Sequence, residues 1–122
     1  MVSVKPKPAY NKKKMNYLRE RLLVDIEITE ERIATNGDNL PRVVEESKDF
    51  EIAERTELIK QHCRKNDDDV QHLADVKAAL ERWREGTYGW CQDTECGVRI
   101  PLARIDAIPR AKYCVSCQVK KK

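Results

Sequence analysis

Tyr88–Gln118 reads YGWCQDTECGVRIPLARIDAIPRAKYCVSCQ, and the spacing of its cysteines decides the fold. Four residues separate Cys91 from Cys96, two separate Cys114 from Cys117, and seventeen lie between the pairs. Such spacing lets four thiols converge on one tetrahedral point, the pattern of a structural zinc site. Thiolates are soft ligands that suit zinc, and four of them close the coordination sphere, leaving no open position for water or substrate. A metal held this way organises structure and does no chemistry. The competing reading of Cys114-x-x-Cys117 is a redox pair, but such a pair opens a helix after a strand, and no strand-forming pattern precedes it. Three of the four glycines, Gly86, Gly89 and Gly97, flank or enter the segment. Gly97, directly after Cys96, suits a tight turn whose amides are expected to point at a thiolate sulfur.

The rest of the chain cannot supply a large globular core. Of 122 residues, 40% are hydrophobic and 37% charged, with one Phe, two Trp and four Tyr for bulk. A module of this composition needs a metal or an extended helical pairing to stay folded. No apolar run approaches the roughly 20 residues that span a bilayer, and no apolar segment follows the basic N-terminus as a secretory signal would require. A cytoplasmic protein with reduced thiols is the expectation. The charge is sorted along the chain. Residues 1–15 carry five lysines and no acid, residues 16–86 carry 12 basic and 18 acidic side chains, and the last three residues are lysines. An acidic body argues against a nucleic-acid groove along the helices, which would need contiguous Lys and Arg.

Residues 1–9 read as a flexible lead-in because Pro6 and Pro8 interrupt a lysine-rich stretch. From about residue 10, Met15, Leu18, Leu22, Ile26, Thr29 and Ile33 recur at steps of three and four, one apolar stripe on a helix. Asn36-Gly37 is the expected stop, with Asp38, Asn39 and Pro41 breaking the rod. A second helix beginning near Asp49 carries Ile59, Cys63, Asn66, Val70, Leu73, Lys77 and Leu80 as a heptad seam. On that reading Cys63 is a small buried hydrophobe, and the helix runs through Asn66-Asp67-Asp68-Asp69 to end at Gly86. The expected fold is mainly α: a long antiparallel coiled-coil hairpin over residues 10–86, its tip near 37–53, then a four-cysteine zinc finger and basic tail over 87–122. At 1.5 Å rise per residue the tip would stand about 50 Å from the metal.

AALERWREGTYGWC followed by CGVRIPLARIDAIPRAKYCVSCQ resembles the C-terminal signature of the DksA/TraR family of bacterial transcription regulators. The likeness is specific over residues 78–118 and general over the helical body. It implies a zinc held by Cys91, Cys96, Cys114 and Cys117. It also implies RNA polymerase as partner, with the coiled-coil tip inserted into the secondary channel and promoter-complex stability altered without reading a DNA sequence. The family's tip carries aspartate, one residue, then alanine. Counting back from Cys91 places Glu51-Ile52-Ala53 there, with Asp49 two residues earlier; glutamate keeps the charge and reaches one methylene further. Family members with four cysteines commonly have two residues inside the first pair, whereas this chain has four. The alarmone ppGpp is a further partner in longer relatives, where added N-terminal helices help form its site; the short lead-in here does not carry that dependence over.

On this resemblance the chain is an allosteric effector and not an enzyme, expected to act as a monomer away from any membrane. Asp49, Glu51 and Ala53 would approach the polymerase active site, and Arg99, Arg104, Arg110 and Lys112 would rest on the channel rim. Without it, Asp49 and Glu51 would simply favour the positive N-terminal end of the second helix. Two rivals share parts of the pattern. A Gre-type factor also inserts an acidic tip, to stimulate transcript cleavage with a second Mg²⁺. A zinc-ribbon nucleic-acid module would use the finger's basic residues, but aromatic interleaving and a basic helix face are missing. His62 and His72 pair with no nucleophile motif and read as helix-face residues.

Overall fold

The computed structural model describes residues 8–121, so most of the expected lead-in, residues 1–7, and the final lysine lie outside the described residues. Four helices follow in order: α1 (Lys12–Glu46), α2 (Ile52–Glu85), α3 (Leu102–Ala107) and α4 (Val115–Lys120). The two long helices pack as a hairpin. Among the described residues there is no strand, only an isolated antiparallel bridge between Trp90 and Arg99.

α1 starts where Asn11 caps it: the Asn11 carboxamide oxygen accepts the Lys14 amide at 2.8 Å and its carbonyl accepts the Met15 amide at 2.9 Å. The lead-in packs sooner than expected, because Ala9 is already buried. α1 does not stop at Asn36-Gly37. It continues through Pro41 to Glu46, because the inward stripe continues in step: Ile33, Asn36, Leu40, Val43 and Ser47 all face partly or wholly inward. Pro41 has no N–H for the carbonyl of Gly37, a loss ordinarily costing about 3 kcal/mol inside a helix. Gly37 is exposed, so solvent can take the place of the missing donor. The preceding carbonyl, that of Asn36, has the His62 ring nitrogen at 2.8 Å. Packing against the second helix therefore outweighs the local stop signals. The turn shrinks accordingly from the expected 37–53 to residues 47–51.

The chain forms two compact units, one from residues up to Asp25 together with Asp75 onward, the other Ile26–Ala74. In the first unit Leu18, Leu22, Val76, Ala79 and Leu80 are buried, and the Trp83 indole N–H donates to the Met15 carbonyl at 2.9 Å. Trp83 also stacks beneath the Arg19 guanidinium, 5.5 Å from its ring.

The second unit adds polar contacts to its inward apolar residues. Asp69, its side chain only 14% exposed, accepts from Arg32 at 3.2 Å and from the Asn36 carboxamide at 3.2 Å. The seam of α2 accordingly differs from the expected one at every second position. Ile59, Asn66, Leu73 and Leu80 do turn inward, but they alternate with His62, Asp69, Val76 and Trp83, while Cys63, Val70 and Lys77 are exposed. Hydrophobicity favoured Cys63 and Val70; hydrogen bonds to α1 bring His62 and Asp69 in instead. α2 runs unbroken across Asn66–Asp69 and ends at Glu85, as expected.

Candidate metal centre and hairpin tip

After α2 the amides of Thr87 and Tyr88 both turn back to the Arg82 carbonyl, at 2.9 and 3.2 Å. The chain then runs out and back as a minimal hairpin: Ile100 N–H donates to Gly89 O at 2.8 Å and Cys91 N–H to Val98 O at 2.7 Å. Its knuckle lies between the first two cysteines. There the amides of Cys96 and Gly97 converge on the Asp93 carbonyl, at 3.0 and 3.2 Å, with Gly97 at φ 65°. The expectation that these knuckle amides face sulfur is corrected: they face the Asp93 carbonyl, and amides of the second cysteine pair turn to sulfur instead, that of Cys114 lying 3.5 Å from Cys91 Sγ. The Glu95 amide donates to the Asp93 carboxylate at 2.9 Å and, with Lys121 3.7 Å away, holds that carboxyl below its ordinary range. Gln92 N–H donates to Lys112 O at 2.8 Å, which brings the second cysteine pair alongside the first. Cys114 then caps α4, so Cys117 stands one turn away on the same side.

The four sulfurs of Cys91, Cys96, Cys114 and Cys117 all lie within 4.8 Å of one another, and three of the four residues are buried. A tetrahedral zinc with bonds near 2.3 Å places its sulfurs about 3.8 Å apart. Cys96 Sγ and Cys114 Sγ are 3.8 Å apart, far beyond the roughly 2.05 Å of a disulfide. The donor set and its spacing fit one structural zinc with no open coordination site. Backbone donation from the Cys117 amide pulls the Cys114 thiol down to about 7, while burial pushes Cys117 up. The cluster thus has one sulfur already inclined to the thiolate form that metal requires.

A ring of contacts fixes this finger against the helix ends of its own unit. Tyr88 and Ile105 are fully buried, and the Tyr88 hydroxyl donates to Pro109 O at 2.7 Å. Arg21 donates to Asp106 O at 2.6 Å, Lys14 pairs with the Asp106 carboxylate at 2.6 Å, and Arg82 donates to Arg110 O at 3.3 Å. The Tyr10 hydroxyl donates to Ile100 O, and burial raises Tyr10 to about 12 and moves Tyr88 up as well.

None of Tyr10, Arg21, Asp106 or Tyr88 was identified from sequence as a positioning residue; Tyr88 lay inside the GTYG turn, and the others carried no local signal. Of the four expected rim cations, two are engaged within the chain. Arg104 Nε donates to Tyr113 O at 3.0 Å, and Arg99 reaches Ala9 O at 3.4 Å while lying over the Tyr10 ring. Arg110 is half-buried, and Lys112 is exposed with its ammonium 5.3 Å from the Tyr113 ring.

The expected tip residues belong to the other unit. The turn is closed by Phe50 N–H on Ser47 O at 3.0 Å, and the buried Ser47 hydroxyl donates to Val44 O at 3.0 Å. Asp49, Glu51 and Ala53 are all exposed. Lys48 and Arg42 pair with Glu45 and Glu46 at 2.7 and 3.3 Å, whereas Asp49, Glu51 and Glu54 form no ion pair among the described residues.

Residues 86–122 match the prokaryotic dksA/traR C4-type zinc finger. The chain is similar to an uncharacterized protein of Aquifex aeolicus, 32% identical over 111 residues that cover 88% of this chain and 75% of the relative. It is also similar to general stress protein 16O of Bacillus subtilis, 40% identical over 50 residues, or 41% of this chain and 29% of that protein. Among solved structures it superposes on transcription factor DksA2 from Pseudomonas aeruginosa with a TM-score of 0.79 at 28% identity, covering 96% of this chain and 90% of that one.

Proposed function

The chain belongs to the DksA/TraR family of zinc-finger transcription regulators, and from that premise we propose that it binds RNA polymerase and places its hairpin turn in the secondary channel, altering promoter-complex stability. The observation that carries this reading is the turn itself. Asp49 and Glu51 stand exposed on a closed, hydrogen-bonded bend and form no ion pair among the described residues. Exposed carboxylates on a hydrogen-bonded turn suit a basic-walled passage that admits anionic nucleotides, and complementary charge would steer them in. Near a metal-dependent active site they would contact mobile elements or perturb a bound Mg²⁺.

The finger would rest on the rim. Lys112 is exposed for that contact; Arg99 and Arg104 support it from within, by holding the Ala9–Tyr10 segment and the Tyr113 backbone. The chain acts in this scheme as an allosteric effector and catalyses nothing. Among the described residues no helix is long and apolar enough to cross a membrane.

The direct test is a pull-down of core polymerase by the zinc-loaded chain, followed by run-off transcription on a ribosomal-type promoter with Glu51→Ala and Ala53→Thr beside wild type. Binding that weakens as salt rises, with altered transcription lost in the tip variants, supports the reading. No binding at low salt removes it.

A further inference from the structure

The turn is not only acidic. Phe50 is 47% exposed and Ile52 85% exposed, and they are interleaved with three carboxylates that form no ion pair among the described residues, giving Asp49-Phe50-Glu51-Ile52-Ala53-Glu54. Single exposed apolar side chains are ordinary, but two large ones one residue apart on a turn, with Ile52 the most exposed large apolar residue among the described ones, make a candidate contact surface. The backbone beneath them is already fixed. Phe50 donates its amide to Ser47 O at 3.0 Å, Ser47 is buried and bonded to Val44 O, and Arg55 N–H on Glu51 O at 2.9 Å opens α2. A bend ordered in advance loses little conformational entropy on docking.

The surrounding charge selects the occupant. A second copy of the turn would set carboxylate against carboxylate, and an anionic lipid surface or nucleic-acid backbone would repel the same groups. A protein pocket with an apolar floor and basic walls satisfies both halves of the pattern. We propose that Phe50 and Ile52 are the apolar anchors of the tip, seated in an apolar depression inside the basic channel of the polymerase, while Asp49, Glu51 and Glu54 meet its walls. This rests on the polymerase reading above and adds to it which side chains supply affinity and which supply steering.

Burial of one such side chain corresponds to about tenfold in Kd, and of two to about a hundredfold. The experiment measures Kd of the zinc-loaded full chain for core polymerase across a salt series, for wild type, Phe50→Ala/Ile52→Ala, and Glu51→Gln. Helical circular dichroism and zinc content serve as fold controls. The anchors predict that the double alanine variant loses about a hundredfold at every salt concentration with an unchanged salt slope. Glu51→Gln instead flattens the slope and retains tight binding at high salt. A correctly folded double variant that binds like wild type overturns the anchor assignment and leaves the polymerase reading standing. If the double variant instead abolishes a self-association of the free chain seen by sedimentation, the occupant is a second copy and the assignment is likewise overturned. Failure of wild type to bind polymerase overturns both.

Discussion

Gly89 lies where the finger packs against the two residues that lead into α1, and replacing it with alanine isolates how much that packing contributes. Its φ is +87°, and a Cβ there would lie 2.6 Å from Ala9 Cβ and 2.7 Å from Tyr10 Cε2. Both neighbours are held in place by burial and hydrogen bonding. Ala9 and Tyr10 are 5% and 9% exposed, and the Tyr10 hydroxyl is bonded to Ile100 O, whose own residue donates its amide back to Gly89 O at 2.8 Å. The left-handed backbone costs an alanine about 1 kcal/mol. Expelling the tyrosine ring forfeits about 2 kcal/mol of burial and about 1 kcal/mol of hydrogen bond.

Gly89→Ala should therefore lose about 4 kcal/mol, lowering Tm by more than about 10 °C at fixed free zinc. Two other glycines calibrate the number. Gly86 has φ +87° with nothing within 4 Å of its Cβ position, so Gly86→Ala should show the strain alone, about 1 kcal/mol. Gly37 lies inside α1 with open space around it, and Gly37→Ala should gain about 0.5–1 kcal/mol. Urea unfolding of the three variants reads the series directly. If Gly89→Ala costs no more than Gly86→Ala, the packing of Ala9 and Tyr10 onto the finger contributes nothing and the reasoning is wrong.

Removing zinc with a chelator should unfold the finger, because structural zinc contributes on the order of 10 kcal/mol, comparable with the whole stability of a domain of this size; an unchanged near-ultraviolet spectrum in the metal-free protein would contradict it. Stability should also fall at alkaline pH. Burial raises Tyr10 to about 12 and Tyr88 upward, so the unfolded chain loses those protons first, and the stabilisation present below about pH 10 is lost as pH climbs toward about 12. Urea midpoints measured over that range should drop less steeply in Tyr10→Phe. Asn66 holds a buried carboxamide oxygen with no hydrogen-bond partner among the described residues, so Asn66→Leu should gain about 1–2 kcal/mol in urea unfolding, and a loss would show that the group is satisfied by water. Asp69→Ala, which strands Arg32 and the Asn36 carboxamide, should cost about 1–3 kcal/mol by the same measurement.

The zinc ligands and the helical hairpin were legible in the chain, since both are written in short-range spacing. Cys-x₄-Cys and Cys-x₂-Cys state a coordination geometry, and Met15, Leu18, Leu22 and Thr29 state a helical face. Continuity of α2 through Asn66–Asp69 and its end at Gly86 were legible for the same reason. Long-range pairing settled what local chemistry could not weigh. Asn36-Gly37 and Pro41 read as a stop, yet the stripe Ile33, Asn36, Leu40, Val43 and Ser47 keeps its phase, and pairing with α2 carries α1 on to Glu46. His62 and Asp69 displaced Cys63 and Val70 from the seam because a polar residue becomes an inward residue only when another element supplies its partner, here Asn36 and Arg32. The clasp of Tyr10, Tyr88 and Asp106 around the finger joins residues as many as 90 positions apart, and contacts over such separations leave no periodicity in the chain to read.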